Sequence, residues 1–244
     1  ISTFLGTAIY IVLALRHARG TGFLRQIADR ATMASMLRLS IPAGMQSFFF
    51  ATGMTVFFWI IGRIGTVELA ASNVLVQLLL VAILPGVGFG LAAASLVGQA
   101  LGRGDREDAV TWGWDVSRLA MVVVGTGALV GVVAPDLLLK IFLHEEETIA
   151  MARLPLRLLG ATMVLETLGS VLMNALLGAG ASKMVMLVSV ILQWGLFLPV
   201  AFLLGPVFGF GMSAVWAAQV GYRCLQGIIF ASIWRSRKWI NLEV

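Results

Sequence analysis

The chain has 244 residues, 59% of them hydrophobic and 12% charged, where ordinary soluble domains carry about 25% charged residues. Its mean hydropathy of +0.97 excludes a water-soluble fold, which has no way to hide that much apolar surface. The net charge of +5 sits in short clusters between apolar runs, a placement that fits loops against anionic lipid and not a nucleic-acid face. Cys224 is the only cysteine, so no intrachain disulfide forms, and its apolar surroundings describe a packed thiol.

A hydrocarbon core of about 30 Å takes roughly 20 apolar residues per helix. Apolar runs fall at 1–15, 42–62, 69–100, 114–134, 154–178, 183–204 and 212–234, which predicts seven helices. Ile1 already lies inside the first run, with no initiator methionine or charged signal start, so the sequence reads as a fragment that opens mid-helix. The 69–100 run exceeds one straight span and contains Pro85, Gly86, Gly88 and Gly90, which should bend or locally unwind it. Strand alternation long enough for a barrel is absent. The fold class is all-α, a polytopic transmembrane helix bundle.

Orientation follows from arginine and lysine, since short basic loops stay cytoplasmic. Arg16, Arg19, Arg25, Arg30 and Arg38 make the stretch after the first run the richest basic cluster, and it belongs inside. Arg63 stands alone in the next loop, Arg103, Arg106 and Arg118 mark an inner loop, and Glu145, Glu146 and Glu147 make the following one acidic and outer. Lys183 marks an inner turn, and Arg235, Arg237 and Lys238 close the chain in the cytoplasm. Arg153 and Arg157, at the outer end of the fifth run, break the pattern.

Few motifs carry chemistry. GVGFG at 86–90 lies in an apolar run with no preceding strand, so it is not a dinucleotide loop. Gly127 with Gly131, and Gly86 with Gly90, have the spacing that lets membrane helices approach closely. His144 and Glu145 are followed by Thr148, and the only other histidine is His17, which excludes a zinc-protease helix and leaves no hydrolytic triad. An enzyme reading lacks its parts, and no cofactor is expected.

Charges inside spans are costly and mark function by default. Glu166 sits mid-run among Met163, Val164, Leu165 and Leu168, and Arg223 lies at similar depth in the last run near Gln219 and Gln226. A purely structural ion pair between Glu166 and Arg223 is the alternative to a binding role. Asp115, with Arg118 three residues on, is a surface pair. Gln46 and Gln193 are polar at depth, either lining a cavity or bonding a neighbouring helix.

The strings LRLSIPAGMQSFFF (37–50), IGRIGTVELAASNV (61–74) and PGVGFGLAAASLVGQALGRGDREDA (85–109), with NALLGAGAS at 174–182, resemble the multidrug and toxic compound extrusion (MATE) family. The resemblance covers nearly the whole chain. It implies twelve helices in two six-helix lobes, both termini cytoplasmic, and export of organic cations or amphipathic drugs in exchange for sodium ions or protons. On that likeness 1–15 is the truncated last helix of the N-terminal lobe, 16–38 the cytoplasmic interlobe linker, 39–234 the six-helix C-terminal lobe and 235–244 a cytoplasmic tail. The implied partners are membrane lipid, a small-molecule substrate and the missing N-terminal lobe, with the bacterial inner membrane as location. The resemblance also implies that Glu166 matches an acidic residue that sodium-coupled members use as a cation ligand. Some of those members carry a second glutamate about eight residues after the proline of the preceding motif; that position here is Phe50. The rival readings are a lipid-linked oligosaccharide flippase of the same superfamily, which needs a basic cavity, and a seven-helix membrane receptor.

Overall fold

The computed structural model describes residues 11–13, 16, 29–142 and 146–241. The expected first span therefore lies largely outside the described residues, as do Arg19 and Arg25 of the basic cluster. The chain divides into two units, Ile1–Arg38 and Leu39–Val244.

Every regular element among the described residues is helical. In chain order these are α1 (Arg30–Gly62), α2 (Thr66–Gly102), α3 (Arg106–Val133), the short α4 (Pro135–Phe142), α5 (Glu146–Gly178), α6 (Ser182–Val207) and α7 (Gly211–Ser236), closed by a 3₁₀ turn, Lys238–Asn241. Five of them, the α1 segment Thr32–Gly62 with α2, α3, the α5 segment Thr148–Gly178 and α6, are long and apolar enough to cross a membrane. The protein is thus a multi-pass membrane protein. Helix α7 falls short on composition alone. Its polar residues Gln219 and Gln226 are buried, while Ala217, Gly221, Leu225 and Ile228 form its exposed face, so its outer surface is as apolar as a span requires.

The structure adds to or departs from the sequence reading at four places. Helix α1 begins at Arg30, inside the stretch read as linker. Helix α2 runs unbroken through Pro85, so no unwinding occurs there. The irregular backbone lies instead in α6, where Ile191–Phe197 and Leu203–Val207 are π-helical. The acidic loop expected on the outer side contains α4, whose Pro135 start, Asp136 in the first turn and Lys140 in the last suit the helix ends.

Two of the motif strings are helix terminators. After α2, Asp105 N–H donates to the Ala100 carbonyl and Gly104 N–H to Leu101, with Gly104 at φ +79°. After α5, Ala181 N–H donates to Leu176 and Gly180 N–H to Leu177, with Gly180 at φ +81°. Both are paired 6→1 and 5→2 caps that place a glycine in the left-handed region. Asp105 also accepts from Asp108 N–H at 3.0 Å, starting α3.

Helix α5 is central, packing on α2, α3 and α7. Small residues permit the approach: a Cβ on Gly169 would stand 2.5 Å from Gly227 Cα of α7, and one on Gly178 would stand 2.2 Å from the Ala94 carbonyl oxygen of α2. Gly90 meets Asn174 of α5 as its spacing predicts, whereas Gly127 has nothing within 4 Å and is not a packing contact.

The core of the Leu39–Val244 unit forms two apolar clusters. One gathers Phe57, Leu75, Leu156, Phe197 and Trp216. The other gathers Val97, Ala120, Leu172, Phe230, Trp234 and Trp239. Trp239 is fully buried, its ring stacked 4.1 Å from Trp234 and its N–H donated to the Trp234 carbonyl, so the segment read as a tail is in part anchored to the bundle. On α5 the clusters take residues 149–159 and 171–176, and on α7 residues 212–222 and 230–234. Glu166 and Arg223 fall in the gap between them.

Candidate functional site

Glu166 Oε1 lies 3.1 Å from Arg223 Nε, with the two side chains 6% and 21% exposed. The bond is close in distance but poorly aligned: Glu166 Oε1 and Arg223 Nε are both buried without a hydrogen-bond partner. Arg223 Nη1 donates to Gln226 Oε1 at 3.2 Å, and Gln226 Nε2 reaches Ser189 Oγ of α6 at 3.5 Å. The guanidinium carbon sits 5.7 Å from the Phe50 ring centre and 5.9 Å from that of Tyr222, within cation–π range. A polar layer thus links α5, α7 and α6, with α1 supplying an aromatic face.

A cavity of about 20 Å³ adjoins the pair, bordered by Glu166, Ser170, Met173, Arg223 and Gln226. That volume holds about one water-sized guest, and the two unpartnered atoms give such a guest something to bind.

The other sequence candidates fall at different distances from this centre. Gln46 Nε2 points at Met173 Sδ, 3.5 Å away, so it touches a residue that borders the cavity. Gln193 is 4% exposed and donates to the Phe50 carbonyl at 3.3 Å, while its neighbour Trp194 donates to the Phe49 carbonyl at 3.2 Å. Consecutive side chains on an α-helix point about 100° apart; the π turn lets both reach α1. Gly53 leaves the room, since a Cβ there would lie 2.1 Å from Gln193 Nε2. Gln193 is a tie between helices, one step from the site through Phe50. Asp115 and Arg118 form an exposed pair at 3.1 Å.

Ser189 and Met173 are site residues that sequence reading missed. A hydroxyl and a thioether inside apolar runs carry no signal of their own. Gln226 had one, because it follows Arg223 by three residues and so shares its helix face.

No group of three or more histidine, cysteine, aspartate or glutamate residues able to hold a metal ion occurs among the described residues. Near Glu166 the available oxygens are those of Gln226, Ser170 and the backbone.

The profile of the family described as MatE matches residues 42–203. A probable multidrug resistance protein NorM of Thermotoga maritima is 26% identical over 212 residues, covering 86% of this chain and 45% of the relative. A protein of the same description from Pseudomonas aeruginosa is 28% identical, covering 95% of this chain and 49% of its own length. Among solved structures, MATE in complex with MaL6 shares the fold, with a TM-score of 0.83 at 19% identity over 96% of this chain and 54% of that one. The chain therefore spans about half the length of the curated relatives it matches.

Proposed function

The chain belongs to the MatE family, and from that premise we propose that the intact protein is a secondary active transporter, not an enzyme. In this reading it exports organic cations or amphipathic drugs by alternating access, with a second lobe completing the substrate path. Its place is the bacterial inner membrane, C-terminus in the cytoplasm.

The observation that carries the proposal is the Glu166–Arg223 pair in the gap between two apolar clusters. A carboxylate at that depth is stable only when a cation, a proton or a fixed positive side chain neutralises it. Arg223 fills that role here. An entering ion must displace it, and the displaced guanidinium keeps Gln226 and the rings of Phe50 and Tyr222 as alternative partners. Ion binding is then tied to movement between α5 and α7. Coupling requires the ion to prefer one conformation, since equal affinity shifts nothing.

The proton is the better candidate for coupling ion than sodium. Hard cations seek several oxygen ligands, and Phe50 stands where a second carboxylate would complete such a set. The flippase reading needs net positive charge in the cavity, and Glu166 cancels that of Arg223. The receptor reading has no relative among the proteins described above.

Reconstitution of the intact protein in liposomes tests this reading. Export of a lipophilic cation such as ethidium should follow an imposed proton gradient and collapse with a protonophore. Dependence on sodium alone would overturn the proton assignment, and export under neither gradient would overturn the transporter reading.

A further inference from the structure

A second, larger cavity of about 390 Å³ lies between α2, α3 and α5. Its walls are the segments 78–85, 123–131 and 156–163, with Leu138 of α4 at one end. At 1.5 Å per residue each wall runs roughly 10–12 Å, so the space is a lengthwise slot. Gly127 opens onto it with nothing within 4 Å of a Cβ. Val81 and Val123 at its margin are 66% and 45% exposed, so the slot opens sideways onto an apolar outer surface of the Leu39–Val244 unit.

The volume suits a small molecule, but sites for such ligands place a few polar groups among apolar walls to fix orientation. Every side chain lining this slot is apolar. The fitting occupant is a flexible hydrocarbon with no polar atoms along its length.

A polar anchor stands at the end marked by Leu138 and Leu156. Arg157 follows Leu156 directly, precedes the lining residue Gly160 by three positions on the same helix face, and is exposed. Arg153, one turn away, is paired with Asp136 at 2.8 Å, whereas Arg157 has no acidic partner among the described residues. Helix α4 marks this end as the headgroup level: Asp136 and Lys140 sit at its two ends, Leu139 is buried inward and Leu137 and Ile141 are exposed, the habit of a short helix lying in the interface. An arginine with no acidic partner among the described residues, set in an apolar run, reaches for a phosphate there.

We propose that this slot binds one acyl chain of an anionic phospholipid, whose phosphate is held by Arg157. The inference rests on the membrane-spanning reading of the helices and not on the chemistry of Glu166.

Native mass spectrometry of the intact protein titrated with phosphatidylglycerol tests it. Gly127→Leu fills the slot from α3 and should remove one bound lipid; Ala82→Leu fills it from the α2 wall and should do the same if the first variant fails to fold. Arg157→Gln should weaken phosphatidylglycerol binding about fivefold, the share of one arginine near a headgroup. Wild-type lipid number in both filled variants would overturn the proposal. So would loss of ethidium binding with lipid number unchanged, which makes the slot a drug site. A lowered thermal midpoint with unchanged lipid number would overturn it too, because another part of the intact chain would then occupy the slot. Unchanged affinity in Arg157→Gln would overturn the phosphate assignment.

Discussion

Glu166 and Arg223 lie 3.1 Å apart with little solvent between them, so removing one leaves the other's charge buried alone. Such a loss costs about 3–5 kcal/mol, whereas removing both is often close to neutral. Arg223→Gln should therefore lower the thermal midpoint of the purified intact protein sharply, and Glu166→Gln/Arg223→Gln should restore most of it. A double variant as unstable as the single one would show that Arg223 acts through packing on Phe50 and Tyr222 and not through charge. Both residues were legible in the sequence as charges inside apolar runs. Their partners were less so. Ser189 and Met173 join the site only through the rotation of α5 and α6, which periodicity does not specify, and Gln193 turns toward α1 only because a π turn redirects it.

At the scale of elements, α5 is held by contacts that leave no room for a side chain. Gly169 faces the Gly227 backbone, which has no flexible end to move aside. Gly169→Ala should cost about 1–3 kcal/mol, as overpacking does, while Gly127→Ala should be nearly neutral because its Cβ meets nothing within 4 Å. Thermal midpoints of the two variants check the contrast, and equal effects would contradict the packing described. The five spans among the described residues were legible from apolar runs, and two of the motif strings have a physical reading as helix caps at Gly104 and Gly180. Helix α4 escaped because eight residues fall below the length of a span, although Pro135, Asp136 and Lys140 carried its end signals. Pro85 predicts a bend or local unwinding, and the helix stays α-helical through it. The backbone irregularity in α6 coincides with the bonds of Gln193 and Trp194 to α1, which are tertiary and have no local signature.

At the largest scale, the Leu39–Val244 unit holds two apolar clusters with a charged layer between them. Orientation in the membrane rests on the basic clusters, and cysteine labelling in a Cys224→Ala background reads it. An impermeant reagent on intact cells should modify a cysteine at Glu146 and spare one at Lys238, both exposed positions; the reverse pattern would invert the topology. In the proposed mechanism the charged layer is where ion occupancy and helix movement meet, and Glu166→Gln tests it by keeping the shape and removing the charge. In liposomes containing equal amounts of the inserted intact protein, with a proton gradient imposed, Glu166→Gln should show the lowered thermal midpoint that an unpaired Arg223 brings and lose gradient-driven export of ethidium. Glu166→Gln/Arg223→Gln should regain the midpoint and still not export. Export by Glu166→Gln at the parent rate, with the parent's dependence on the gradient, would contradict the account.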